Sequence, residues 1–71
     1  MPAMIKNDRE LRVTLDRISY LQNVVKNLRQ SEPNPVNYRL SSSGFLAEID
    51  RMNLGVREYL SLHPSDLSQP V

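Results

Sequence analysis

The sequence contains no cysteine among its 71 residues and only one histidine. The absence of cysteine excludes a disulfide framework and thiolate metal sites, and it fits a reducing cytoplasm. A catalytic or metal centre needs several cooperating groups, and His63 has no motif of supporting ligands or nucleophiles around it. We therefore expect no catalytic residue, no metal and no cofactor, and we interpret His63 as a surface residue at a helix terminus.

Long apolar runs and an excess of one charge are also missing. No segment has the length of apolar sequence that crosses a bilayer, and residues 1–6 are too short for a signal peptide, so we expect a cytoplasmic protein without membrane contact. Nine basic residues against eight acidic ones leave a net charge of +1. This balance is far from the strongly basic surface of a typical nucleic-acid binder.

The first organised segment is a helix that we predict over residues 8–30. Its apolar residues recur at alternating steps of three and four, the spacing of one seam on a helix. Asn7 followed by Glu10 is typical of a helix N-cap with a reciprocating acid. Thr14 is the one polar residue on the seam, and it has two interpretations: it bonds to its own helix, or it caps a second segment after a break at Val13.

The second helix is predicted over residues 36–62, after a turn that contains Pro33 and Pro35. Asn34 before Pro35 is a start signal, because proline fits the first turn of a helix at no cost in hydrogen bonding. Residues 41–44 are four poor helix formers in a row. The helix therefore begins either near Val36, with a soft first part, or near Ser43 after a longer loop.

These elements predict an all-α antiparallel hairpin over residues 8–63, between a flexible N-terminus of residues 1–7 and a flexible tail of residues 64–71. Ile5 could fold back onto the first helix. Two helices contact each other along one line only, so a single hairpin leaves part of its apolar stripe exposed to solvent. We therefore expect two hairpins to associate as a four-helix bundle. The residues predicted for this shared core and dimer interface are Leu11, Leu15, Ile18, Leu21, Val25, Leu28, Phe45, Ile49, Met52, Val56 and Tyr59.

The predicted function is protein–protein contact by a self-associating, non-enzymatic module, with Arg17 and Tyr20 as a possible surface for a protein partner. The first half of the chain is mildly basic and the second half mildly acidic, which suits two helices lying against each other but also two ordinary solvated faces. The alternative function is a small nucleic-acid-associated regulator that uses the basic residues of the first helix.

The run from Ile5 to Leu11, the following Thr14, and the closing Val56-Arg57-Glu58-Tyr59-Leu60 resemble the helical segment before the DNA-binding domain of bacterial antitoxin-type Xre-family regulators. The given sequence ends a few residues after its second helix, so we expect no helix-turn-helix domain here, and residues 41–44 depart from the family's better helix formers. The resemblance implies a standalone dimerisation or toxin-contacting half, which would make the protein antitoxin-like or a regulatory accessory factor.

Overall fold

The computed structural model describes residues 5–67, which form three helices and no strand. Helix α1 spans Asp8–Ser31, α2 spans Pro35–Leu60, and α3 is a single turn over Pro64–Leu67. The two long helices pack against each other and run in opposite directions, joined by a three-residue connection. The predicted all-α fold with two long helices is therefore confirmed.

Local hydrogen bonds explain why α1 begins at Asp8. The Asn7 side chain accepts the Glu10 N–H at 2.8 Å, and the Glu10 carboxylate accepts the Lys6 N–H at 2.8 Å. The predicted cap is confirmed, although the acid reaches Lys6 and not Asn7. The Thr14 hydroxyl donates to the Glu10 carbonyl at 2.8 Å within an unbroken helix, so the alternative of a break at Val13 is wrong.

The start of α2 is fixed by Asn34, whose side-chain oxygen accepts the N–H groups of Val36 and Asn37 at 2.9 and 3.2 Å. The helix begins at Pro35 and continues through residues 41–44, so a start near Ser43 is wrong. The side chain of Ser42 is buried in the helix pair, with 2% exposure. Tertiary packing therefore outweighs the low helix propensity of this stretch.

The far end of α2 differs from the prediction. The helix ends at Leu60, two residues early, and Ser61 closes it by donating its N–H to the Arg57 carbonyl at 3.0 Å. A helical turn then follows where we predicted a flexible tail, and residues 68–71 lie outside the described part. The His63 ring nitrogen Nδ1 accepts the Ser65 N–H at 3.1 Å, while the Asp66 carboxylate accepts the His63 N–H at 3.0 Å. His63 thus stands at the start of α3 and not at the end of α2.

The core is a single layer between the two long helices. The whole described chain measures 53 × 20 × 13 Å, and its smallest dimension is close to the diameter of one helix, about 10–12 Å. Ile5, from the predicted flexible N-terminus, folds back into this core and is 1% exposed. The buried apolar residues are Ile5, Ile18, Leu21, Ile49, Met52, Val56 and Tyr59, with Leu11 and Val25 packed against them.

Candidate protein-contact surfaces

The structure places most of the predicted interface residues inside one hairpin. Ile18, Leu21, Ile49, Met52, Val56 and Tyr59 are buried, and Leu11, Val25 and Leu28 are half-buried. Leu15 and Phe45 remain 46% and 38% exposed. The predicted seam is therefore the core of a single chain, and its role in an interface between two chains stays a prediction.

A side-chain hydrogen bond joins the two helices at the open end of the hairpin. The Tyr59 hydroxyl donates to the Asp8 carboxylate at 2.5 Å, which joins the last turn of α2 to the first turn of α1. Accepting this bond, the carboxylate raises the pKa of Tyr59 to about 12, with burial and the carboxylate's negative charge as further causes. The hydroxyl therefore keeps its proton far above neutral pH, and the contact serves as a tie between the helix ends.

The residues that flank the seam define two faces. A residue that directly follows a seam position is rotated by about 100° to one side of the helix, and a residue that directly precedes it is rotated to the other side. Because the helices are antiparallel, the followers of both helices share one face of the hairpin and the predecessors share the opposite face. Ser42 is added to the seam of α2, since its side chain is buried. The seam positions are Leu11, Thr14, Ile18, Leu21, Val25 and Leu28 in α1, and Tyr38, Ser42, Phe45, Ile49, Met52, Val56 and Tyr59 in α2.

The follower positions form what we name the cationic face. Its apolar members are Leu15, Leu46 and Leu60, which are 46%, 43% and 63% exposed. It carries one acid, Asp50, against five cations, all of them exposed. These cations are Arg12, Lys26, Arg29, Arg39 and Arg57.

The predecessor positions form what we name the mixed-charge face. Val13 and Tyr20 are 61% and 65% exposed there, and Val24 is half-buried. Two cations, Arg17 and Arg51, share this face with three acids. The acids are Glu10, Glu48 and Glu58. Arg17 and Tyr20, the predicted partner surface, are thus neighbouring exposed residues on a face where both signs of charge occur.

Sequence reasoning missed a third set of exposed apolar residues, on the side of α2 that points away from α1. Val36, Leu40 and Leu54 lie there with exposures of 56%, 72% and 56%. Their position off the seam of α2 was the sequence signal that could have identified them as exposed. Isolated apolar side chains of this kind are common on protein surfaces, so they serve best as controls for the two faces.

An open cleft of about 480 Å³ lies at the end of the hairpin where the Tyr59–Asp8 bond is found. Lys6 and Asn7 line it from the segment before α1, and Leu62 and Pro64 line it from the segment after α2. The cleft is therefore the gap between the chain's first and last described segments, shaped by the tie between Tyr59 and Asp8.

Within residues 5–67, acidic and histidine side chains do not gather into a group of three or more able to hold a metal ion. Over the same residues, no helix combines the length and apolar character that crossing a membrane requires. No family model, curated protein or solved structure matches this chain.

Proposed function

We propose that this protein is a non-enzymatic interaction module that self-associates, two hairpins packing side by side as a four-helix bundle. The observation that supports this proposal is the amount of surface that a single chain leaves open. Its accessible surface is 5889 Å², whereas a compact monomer of the same 8.2 kDa mass exposes about 4,500 Å². The difference exceeds the roughly 800 Å² that each partner buries in a standard interface.

The shape of the chain gives the same indication. Its radius of gyration is 15.7 Å, compared with about 11 Å for a compact domain of this length. In stable domains, each layer of secondary structure usually buries its apolar side against another layer around a shared core. In this hairpin the two helices contact each other along one line only. A second hairpin is the simplest partner to bury the exposed apolar surface, because it brings an apolar surface of the same length.

The mixed-charge face suits a contact between identical chains. In a two-fold contact each residue faces the same surface of the partner, so a face carrying both signs can pair Arg17 with an acid of the second copy. Val13 and Tyr20 supply the apolar area, and tyrosine is among the residues enriched in interface centres. The narrower role as an antitoxin-like or regulatory accessory protein rests on the sequence resemblance alone.

The test is sedimentation equilibrium at roughly 100 µM protein, where a dimer of micromolar affinity is well populated. We expect the parent chain to be a dimer and Tyr20→Glu to be a monomer with unchanged helix content by circular dichroism. Leu40→Glu is the matched control, because Leu40 is also exposed but lies off this face; it should remain dimeric. A parent chain that is monomeric and fully folded at this concentration contradicts the proposal.

A further inference from the structure

We propose that the cationic face is a docking site for an acidic amphipathic helix of another protein. This surface is separate from the mixed-charge face, so the proposal goes beyond self-association and does not depend on it.

The leucines of this face form a line across both helices. The Tyr59–Asp8 bond places Leu60 near the start of α1, Leu15 further along, and Leu46 beyond it. With a rise of 1.5 Å per residue, successive leucines are separated by about 10 Å along the hairpin. The line is therefore about 20 Å long, which matches one side of a helix of roughly four turns lying in the groove between α1 and α2.

Cations lie beside the line near Leu60 and beyond its other end, past Leu46. Arg12 and Arg57 lie towards the open end of the hairpin, and Lys26, Arg29 and Arg39 lie towards the turn. None of these five takes part in a salt bridge within residues 5–67, where Arg51–Glu48, on the opposite face, is the single pair. Their charges are thus available to acidic groups on a partner.

The charge distribution decides against a second copy of this chain as the occupant. A two-fold contact through this face would bring the five cations of one copy towards the five of the other, with Asp50, and Asp16 beside Arg12, as the acids of each chain that offset them. Like charges placed opposite each other oppose association. A head-to-tail contact with the mixed-charge face would bring only three acids, accompanied by two cations, and would generate a ring or an open filament.

The leucines favour an acidic protein over a nucleic acid as the partner of this face. Phosphate contacts are made by charged and polar groups, so three half-exposed leucines along the centre of the face would be left without a partner on a duplex. An amphipathic helix with Leu-like residues along one side and Asp or Glu beside them satisfies both features. The partner is therefore defined chemically as an acidic helix of about four turns.

The direct test uses two synthetic peptides with the same leucine stripe, one flanked by Glu and one by Lys, titrated by fluorescence anisotropy. We expect the Glu peptide to bind and the Lys peptide not to bind. Raising the salt from about 50 to about 300 mM should weaken binding, because it shortens the range of the charge interactions. Absence of binding by the Glu peptide, or equal binding of both peptides, overturns the proposal.

Matched variants locate the binding surface. Leu46→Glu and Arg57→Glu should each weaken binding of the Glu peptide at least about tenfold. Leu54→Glu and Arg9→Glu change the same residue types at exposed positions off the cationic face, and they should leave binding within about twofold. Circular dichroism checks that all four variants stay helical. Equal losses in the variants and their controls overturn the assignment to this face.

Two other polyanions serve as competing probes. Random-sequence duplex DNA or vesicles containing phosphatidylserine, binding more tightly than the Glu peptide, would overturn the proposal in favour of phosphate or a lipid surface. The Tyr20→Glu variant separates this proposal from self-association. It should bind the Glu peptide like the parent chain, whether or not the parent is a dimer, and loss of its binding would overturn the proposal that the cationic face is a separate docking site.

Discussion

The Tyr59 hydroxyl and the Asp8 carboxylate are joined by a 2.5 Å hydrogen bond across 51 residues of sequence. This contact closes the open end of the hairpin, opposite the turn that contains Asn34. The turn joins α1 and α2 covalently at one end, the buried core packs them along their length, and this bond joins them at the other end. The antiparallel direction decides which residues share an exposed face, and the Tyr59–Asp8 contact shows how those residues align along the hairpin axis.

The bond makes stability depend on pH in the alkaline range. The pKa of Tyr59 is raised from 10.0 to about 12 in the folded chain, so the fold favours the protonated phenol. Its contribution is complete below pH 10 and is lost as the pH rises from 10 towards 12, because the unfolded chain releases this proton first. We expect the urea midpoint to fall in that window.

Tyr59→Phe is the control for this pH dependence. Without the hydroxyl, the variant should melt a few degrees lower at neutral pH and show a smaller decrease between pH 10 and pH 12. Other groups also titrate in this range, so the difference between the two proteins is the informative quantity. Parallel stability curves for the two proteins would mean that the bond is not formed in solution.

The cap of α2 should be worth a measurable amount of stability. The Asn34 side chain accepts two N–H groups that have no other partner at the helix start, and replacing such a cap by alanine typically costs about 1 kcal/mol. We expect Asn34→Ala to lower the free energy of unfolding by that amount in urea denaturation. Asn53→Ala, at an exposed position inside the same helix, should be neutral or slightly stabilising.

Gly44 offers a stabilising substitution. A Cβ atom at this position meets no heavy atom within 4 Å, and the residue lies inside α2. Gly44→Ala should raise the free energy of unfolding by about 1 kcal/mol, because alanine has the higher helix propensity. The reverse change at an exposed position of the same helix, Ala47→Gly, should lower it by a similar amount. Thermal melts followed by circular dichroism measure both.

Ile5 should contribute to the core although it precedes α1. Its side chain is 1% exposed, and removing a buried isoleucine down to alanine typically costs 2–5 kcal/mol. A residue near the chain end relaxes more easily, so we expect Ile5→Ala to cost about 2 kcal/mol. Leu40→Ala, at 72% exposure, should change stability by less than about 0.5 kcal/mol. Equal effects would show that residue 5 does not pack in solution.

The core itself is unsuitable for testing the oligomeric state. Leu21 and Ile49 are each 6% exposed within a single chain, so placing glutamate there buries a charge and unfolds the hairpin whether or not it dimerises. Exposed positions such as Tyr20 avoid this difficulty. The oligomeric state is therefore tested by substitutions at exposed positions and not by substitutions in the seam.

The sequence by itself determined the helices, because their signals are local. The three-four spacing from Leu11 to Leu28, the caps at Asn7 and Asn34, and the proline turn act within a few residues of where they stand. The burial of Ile5, the unbroken helix through residues 41–44 and the Tyr59–Asp8 bond were decided by the tertiary structure. Each depends on residues that only folding brings together, and so does the division of exposed residues into a cationic and a mixed-charge face. Spacing along one helix identifies the seam, but only the antiparallel pairing of two helices determines which of their flanks lie side by side.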